Sequence, residues 1–279
     1  MELADASSIF RTIEINGTFY SLQRPEFFAR WADETPEDFV FAVKGSRYIT
    51  HMLRLKGVEA ALPNFLASGI LRLGPKLGPI LWQFPPQMRF DAERFDDFFR
   101  ALPHDTEAAA RLARRHDRRV AGRAWTKTDQ RRPLRHAVEV RHDSFVVPQF
   151  IRLLRKHRIA LVCADTVDWP RLMDVTADFV YCRLHGDKEL YVSGYTAAAL
   201  RRWARRVNAW ASGRAPADAA RVLPPSRIRR PRDVFVYFDN DAKVRAPFDA
   251  LKLMELVGVK PLRPPERAMQ DPQRTQAAA

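Results

Sequence analysis

The sequence has few features of a secreted or membrane-bound protein. It contains two cysteines in 279 residues, Cys163 and Cys182, and both lie inside apolar runs. We therefore expect buried free thiols in a reducing compartment, because secreted domains use cysteine mainly for disulfides. No run of 18 apolar residues occurs, and no basic region followed by an apolar one opens the chain. We accordingly expect no membrane association and no secretory signal, which favours a cytoplasmic protein.

Several motifs of known chemistry are also missing. The chain has no Gly-x-Ser-x-Gly elbow, no glycine-rich phosphate loop and no His-x-x-x-His pair. Nucleophilic serine or cysteine catalysis therefore has no support. Carboxylates and a histidine near strand ends could bind a divalent metal. Neighbouring arginines and lysines would compete with such a cation, so a metal cofactor is left undetermined and is not favoured.

Short apolar runs alternate with helical patterns along the chain. This alternation predicts parallel strands joined by helical crossovers, and nearly continuous hydrophobicity indicates strands that are covered on both faces. The sequence thus predicts one α/β domain over residues 1–260, a TIM-like (β/α) barrel. The predicted strands are 10–16, 39–44, 79–84, 136–140, 159–165, 178–185 and 233–239, and the predicted helices are 24–34, 57–73, 91–102, 147–157, 196–210 and 245–258.

Polar residues recur where the predicted strands end. Because side chains alternate between faces, Arg183 and His185 share one face while Leu184 points to the other. Polar strand ends are typical of α/β active sites, and a closed barrel gathers them around one mouth. A single polar strand end is equally well explained as a residue leaving the core, but that explanation weakens as the pattern repeats. The other candidates are Glu14, Asn16, Lys44, Gln83, Glu139, Arg141, Asp165, Asp239 and Asn240.

These residue types suggest an enzyme that acts on a small anionic compound. Arginine binds phosphate or carboxylate in a bidentate manner, and histidine transfers protons near neutral pH. We assign catalytic roles to Glu139, His185, Glu14 and Asp165, in a hydrolase or lyase using general acid/base chemistry. We assign substrate binding to Asn16, Lys44, Gln83, Arg141, Arg183 and Asn240. Two alternatives remain: an ion pair from Arg183 to Asp165 or Glu139, and a structural hydrogen bond for His185.

The positive charge of the chain is local. The net charge is +14; residues 104–135 hold ten basic and four acidic residues, and residues 201–232 hold ten arginines and one aspartate. We interpret 104–135 as a basic insertion and 212–232 as a basic loop. Such segments could bind nucleic acid through its phosphates, which gives an alternative function for residues 111–135 and 201–232. We favour a solvated arginine-rich surface as the explanation, because neither segment interleaves the aromatics of a base-stacking surface.

Five blocks of the sequence resemble one known family. They are EINGTFYSLQRPEFFARWADETPEDFVFAVKGSRYITH, LGPKLGPILWQFPP, HAVEVRHDSF, TADFVYCRLHG and FVYFDNDA, in that order between residues 2 and 258. The chain is similar to the DUF72, or YecE-like, family. This resemblance implies a TIM-barrel-like fold and leaves the activity open. Relatives open with a Gly-Thr-Ser-Gly-Trp strand that is not found here, so we expect a barrel lacking the first strand, followed by a disordered tail over 261–279.

Overall fold

A computed structural model describes residues 3–186, 194–225, 229–240 and 245–263. The tail predicted over 261–279 lies almost entirely outside these residues. The described chain forms a seven-stranded sheet in which sequential strands are neighbours and every pair is parallel. The predicted α/β TIM-like barrel is therefore confirmed. Its strands are β1 Thr12–Ile15, β2 Val40–Lys44, β3 Leu77–Gln83, β4 His136–Glu139, β5 Ala160–Asp165, β6 Phe179–Leu184 and β7 Asp233–Phe238.

Helices pack around the sheet, and several begin where the sequence signals a helix start. Pro25 occupies the first turn of one helix, and the side chains of Asp91 and Thr196 cap two others by accepting backbone hydrogen bonds. The helices in the described residues are α1 Leu3–Ile9, α2 Gly17–Tyr20, α3 Pro25–Asp33, α4 Ala61–Ala67, α5 Ala92–Ala101, α6 Thr106–Ala113, α7 Pro148–His157, α8 Ala197–Ala211 and α9 Ala246–Val257. Helix α6 lies within the predicted basic insertion.

The prediction of one helix over residues 57–73 is wrong. The structure has α4 and then a separate 3₁₀ segment, Ile70–Lys76, with Gly69 between them at φ 118°. A Cβ atom at Gly69 would lie 2.4 Å from the Cα of Pro25. Only glycine tolerates this combination of positive φ and close backbone approach, so the helix is interrupted here.

The barrel has a small interior and a larger outer core. Residues facing the axis form one apolar cluster, whereas the opposite strand faces pack against the helices. Cys163 and Cys182 are buried free thiols on the outer side, as predicted. The interior cluster contains Ala42, Leu81, Ala137, Ala160, Val162, Phe179, Tyr181 and Tyr237.

The backbone ladder is open between β1 and β7, since no pairing joins these strands in the described residues. Side chains bridge the opening instead: the hydroxyls of Thr12 and Tyr237 lie 2.7 Å apart. All residues of β1 and most residues of β7 are only partly buried, unlike the fully buried β4, β5 and β6. The described residues form seven strands, whereas a TIM barrel has eight. None of the described helices combines the length and apolarity needed to cross a membrane.

Candidate functional site

Arg183 forms the centre of a charged layer above the apolar interior of the barrel. Its side chain is 1 % exposed and reaches three carboxylates that come from distant parts of the chain. Nη1 donates to Glu139 at 2.8 Å, Nη2 donates to Glu14 at 2.9 Å and to Asp239 at 2.8 Å, and Nε donates to Glu14 at 3.1 Å. Burial lowers the pKa of Arg183, but these carboxylates raise it well above its usual value. The guanidinium is therefore a permanently charged bridge between β1, β4, β6 and the end of β7.

Glu139 is completely buried and is held by two arginines. Besides the contact from Arg183, its Oε1 accepts from Nε of Arg141 at 2.7 Å. Burial raises the pKa of Glu139, but the charges of Arg183 and Arg141 outweigh it and hold the pKa far below its usual value. Glu139 is consequently ionised at neutral pH and fixes the orientation of both guanidinium groups.

His185 lies in the same layer as these charges and is 0 % exposed. Its Nδ1 is 3.2 Å from Oδ2 of Asp239, and its Nε2 is 3.9 Å from Oε1 of Glu139. The ring of Trp169 packs edge-on against the imidazole at 5.6 Å. Burial raises the pKa of Asp239, but the hydrogen bond from His185 and the charge of Arg183 lower it overall. The arrangement is a histidine oriented by an ionised carboxylate, which is suited to proton transfer.

Lys44 differs from the other charges of the layer. It shares the axis-facing side of β2 with Ala42 and is 8 % exposed. Its Nζ lies 4.6 Å from the ring centroid of Phe19. This Nζ has neither a hydrogen bond nor an ion pair within 4.0 Å to any residue that the structure describes. Burial and the charge of Arg183 lower the pKa of Lys44, although the carboxylates of the layer oppose the shift. Lys44 is thus a buried cation without a direct anionic partner in the described chain.

Two arginines extend the positive charge around Lys44. Arg141 lies 4.2 Å above the ring of Trp169, and Arg47 lies 5.7 Å from the ring of Tyr20. We call Lys44, Arg47 and Arg141 the cationic edge of the mouth. Burial and the charges of these three residues lower the pKa of His51 to about 4. Since the strongest charges acting on His51 are all positive, this side of the mouth has a positive potential.

His51 lies on a π-helix, Tyr48–Met52, which directly follows β2. Its ring contacts Phe19 edge-on at 5.1 Å, and its Nδ1 is 2.8 Å from the hydroxyl of Thr50. Single π-turns occur frequently at functional sites because they redirect side chains. Here the π-turn places His51 against Phe19, the same ring that Lys44 contacts.

Two further predicted residues lie at the mouth. Gln83 pairs with Glu139 in the register of β3 and β4, so its side chain faces the axis. It is 7 % exposed and makes no side-chain hydrogen bond within the described ranges. Asn16 precedes α2 and is exposed, and its side chain does not cap that helix. Gln83 is the last residue of β3, and Asn16 directly follows β1, so both lie at the carboxyl ends of their strands.

The expectation that Asp165 faces the mouth is wrong. It pairs with Leu184 in the register of β5 and β6 and therefore points outward, as Cys163 does. Its carboxylate accepts from Nε1 of Trp203 on α8 at 2.9 Å and from Arg171 at 2.8 Å. The residue of β5 that faces the axis beside Arg183 is Ala164.

The expectation that Asn240 belongs to the mouth is also wrong. Its side-chain amide donates to Oδ2 of Asp249 on α9 at 2.9 Å, and the residue is 0 % exposed. The same carboxylate accepts the backbone N–H of Tyr195 at 3.0 Å. Asn240 follows Asp239 and therefore points to the opposite face, away from the mouth. Its hydrogen bond links the end of β7 to the outer helices.

Some features of the structure do not contribute to this site. In the described part of the chain, no three His, Cys, Asp or Glu side chains converge as metal ligands. A surface cavity of about 690 Å³ lies between residues 55–59, α5 and α6, but none of its lining residues belongs to the charged layer. Several arginines of the basic insertion pair with acids of the same segment, as in Arg119–Asp117 and Arg132–Asp129. Nucleic-acid binding by the basic segments stays a prediction.

The comparison with known proteins identifies the family of the chain. The family described as "Protein of unknown function DUF72" matches residues 1–274. The chain belongs to the DUF72 family. The curated protein YecE of Escherichia coli K12, named UPF0759 protein YecE, is 33 % identical over 76 residues, which are 27 % of this chain and 28 % of YecE. The chain thus aligns with less than a third of the length of that DUF72 relative.

Solved DUF72 structures share the fold. A DUF72 family protein of Enterococcus faecalis V583 superposes with a TM-score of 0.68 at 18 % identity, covering 95 % of this chain and 91 % of that one. A DUF72 family protein of Thermotoga maritima MSB8 gives 0.63 at 22 % identity, covering 89 % and 85 %. These similarities confirm the barrel fold.

Four residues near the site are not among the candidates that the polar strand ends of the sequence indicate. Tyr181 donates to Glu14 at 2.6 Å, and the alternation that predicts Arg183 could also have indicated Tyr181. Trp169, Phe19 and Arg47 lie in segments that follow strand ends. Such segments have no periodicity, so the sequence contains no signal for the direction of these side chains.

Proposed function

We propose that the protein is an enzyme that binds a small phosphorylated or carboxylated substrate at the mouth of the barrel. The observation that carries this proposal is the state of Lys44, which is 8 % exposed and whose Nζ has no hydrogen bond or ion pair to any described residue. Burying a cation without an anionic partner is costly, so such a group is retained where a ligand supplies the partner. Arg141 and Arg47 add positive charge on the same side.

Arg183 takes a different role from the direct substrate contact expected from the sequence. Four of its N–H donors are occupied by Glu14, Glu139 and Asp239. A guanidinium has five donors in total, so little capacity remains for a substrate anion. Arg183 therefore holds the carboxylates in place, and the cationic edge receives the substrate.

His185 supplies the acid/base group in this proposal. Asp239 contacts Nδ1, which leaves Nε2 on the side of Glu139. A carboxylate with a strongly lowered pKa is a weak base. Glu139 therefore acts by orienting Arg141 and Arg183, while His185 accepts or donates the proton. The reaction class that fits is a proton transfer on an anionic compound, as in a lyase or a hydrolase.

Thermal denaturation in the presence of anions tests the proposal. Inorganic phosphate and small dicarboxylates should raise the melting temperature in a dose-dependent manner, because a ligand that binds only the folded state stabilises it. Arg141→Gln should weaken this shift, because it removes a charge of the cationic edge. Arg11→Gln is the matched control, since Arg11 precedes β1 and pairs with Asp38 at the opposite end of the barrel. Equal shifts in wild type and Arg141→Gln, or no shift with any anion, would overturn the proposal.

A further inference from the structure

We infer that Lys44 is a covalent nucleophile, which forms an imine with a carbonyl group of the anionic substrate. The inference rests on the proposed function and narrows the substrate class to an aldehyde or ketone that carries a phosphate or carboxylate. Imine formation is one of the established uses of lysine in catalysis.

The first argument is the placement of Lys44. It is the last residue of β2, and its backbone is fixed by pairing with Leu81 of β3 and by the following hydrogen bond from Gly45 to Leu81. The side chain faces the axis, and its Nζ lies 4.6 Å from the ring centroid of Phe19. Groups held on strands keep a defined position, which covalent catalysis needs.

The second argument is the contrast with the other lysines. Lys44 is the only buried lysine in the described part of the chain. Lys76 is partly buried and donates to the carbonyls of Ala32 and Thr35. The exposed Lys156 and Lys252 form ion pairs with carboxylates at 2.9 and 2.8 Å. Lys76, the other described lysine that is partly removed from water, thus has acceptors for its Nζ, whereas the Nζ of the more deeply buried Lys44 has none within the described ranges.

The third argument is the chemical state of the amine. Only a neutral amine attacks a carbonyl carbon, and burial next to a cation favours that state. Burial and the charge of Arg183 lower the pKa of Lys44, against the opposing carboxylates Glu14, Glu139 and Asp239. Lys44 therefore loses its proton more readily than an exposed lysine does.

The remaining cations account for the anionic group of the substrate. Arg141 and Arg47 act on His51 together with Lys44, which places the three charges on one side of the mouth. Arginine keeps its charge and binds phosphate or carboxylate in a bidentate way. The anion binds to the arginines near enough to Lys44 to offset its charge, and the carbonyl carbon of the same substrate faces Nζ. This division explains why one mouth has two kinds of cation, of which only lysine can become neutral.

The step balances without an oxidant or reductant. The lone pair of neutral Nζ forms a bond to the carbonyl carbon, and the carbonyl oxygen becomes a hydroxyl after Nζ transfers a proton to it. That hydroxyl takes up a second proton and leaves as water, Nζ loses its last hydrogen as a proton, and a carbon–nitrogen double bond remains. The second proton taken up equals the last proton released, so one carbonyl and one amine give one imine and one water. The pair of His185 and Asp239 provides a proton donor and acceptor in the same layer.

Reductive trapping tests the inference on the unmodified protein. Pyridoxal 5′-phosphate is a suitable probe because it combines an aldehyde with a phosphate, and borohydride converts its imine into a stable amine that peptide mass spectrometry locates. Lys44 should be labelled severalfold faster than Lys252 near neutral pH, since a lowered pKa gives Lys44 a larger neutral fraction. Inorganic phosphate should slow the labelling of Lys44 and leave that of Lys252 unchanged.

The variant Lys44→Arg separates this inference from the proposed function. Arginine keeps the positive charge but forms no such imine, so Lys44→Arg should retain the thermal shift with phosphate and lose the labelled peptide. Lys252→Arg is the matched control and should lose only the slow label. A phosphate shift in wild type with Lys44 labelled no faster than Lys252 overturns the imine and leaves the proposed function standing. Absence of any anion effect in wild type, by contrast, overturns both.

Discussion

Glu139 on β4 and Arg183 on β6 form a 2.8 Å ion pair across β5, the strand that lies between them. At this level β5 presents Ala164 toward the axis, in register with Arg183. A methyl group leaves room for the two long side chains to meet. The charged layer therefore depends on a small residue at one strand as much as on the charged residues of the others.

Removing the central guanidinium should destabilise the fold strongly. Arg183→Met leaves three carboxylates without their shared partner in a buried layer, and we expect a loss of about 3–5 kcal/mol in the free energy of unfolding. Urea denaturation measures this loss. The control Arg11→Met removes a surface ion pair and should cost at most about 1 kcal/mol. Similar losses in the two variants would argue against a structural role for the layer.

Acid should reduce the contribution of Glu139 to the stability of the fold. Its pKa in the folded state lies far below the unfolded value of 4.5, mainly because the charges of Arg183 and Arg141 outweigh burial. A lowered carboxyl pKa stabilises the fold above the unfolded pKa, and this stabilisation disappears as the pH falls through the folded pKa.

The comparison of wild type with Glu139→Gln measures this effect directly. At pH 7 the variant should be less stable by about 3 kcal/mol, because the arginines lose a buried partner. The difference should narrow as the pH falls below 4.5, which urea denaturation at a series of pH values would show. A difference that stays constant down to acid pH contradicts the ionised state of Glu139.

Replacing Lys44 by an apolar residue should stabilise the protein. The pKa of Lys44 is lowered, chiefly by burial, so its charged form disfavours the folded state at neutral pH. Lys44→Met should gain on the order of 1 kcal/mol at pH 7. The difference in stability between Lys44→Met and wild type should disappear as the pH rises toward the unfolded pKa of 10.5. The charge of Lys44 no longer destabilises the fold once the amine is neutral in both the folded and the unfolded state. Lys252→Met, at an exposed site, should show no such pH dependence.

Asp165 should matter for stability and not for anion binding. Its two carboxylate oxygens accept from Trp203 and Arg171 on the outer side of the barrel. Asp165→Asn replaces one of these acceptors by a donor and should cost about 1–3 kcal/mol. The melting shift that phosphate produces should remain that of wild type. A reduced shift in Asp165→Asn would place this residue in the site after all.

The sequence was sufficient to predict much of the charged layer. Glu14 and Arg183 lie two residues before the predicted strand ends and Glu139 lies one residue before, and strict alternation of side chains predicts their direction. The same rule explains the error at Asp165. Cys163 and Asp165 are two residues apart and must share a face, so an outward Cys163 already excludes an inward Asp165.

Other parts of the site could not be predicted from the chain alone. The stacking of Arg141 on Trp169 joins residues that are 28 positions apart, and it depends on a segment without a regular pattern. The approach of Lys44 to Phe19 likewise depends on the fold that α2 adopts after β1. Alternation predicts the face of a strand residue, whereas such contacts follow only from the full tertiary packing.

In the proposed function, the buried cation Lys44 binds an anionic ligand at the mouth of the barrel. The titration of Lys44 tests this binding most directly. Carbon-13 NMR of labelled lysine side chains follows each amine, and Lys44→Arg assigns the signal. Lys44 should titrate at lower pH than the exposed lysines, and inorganic phosphate should move its titration upward, because a bound anion favours the charged form. A Lys44 signal that titrates together with the exposed lysines and does not respond to phosphate would contradict the proposed site.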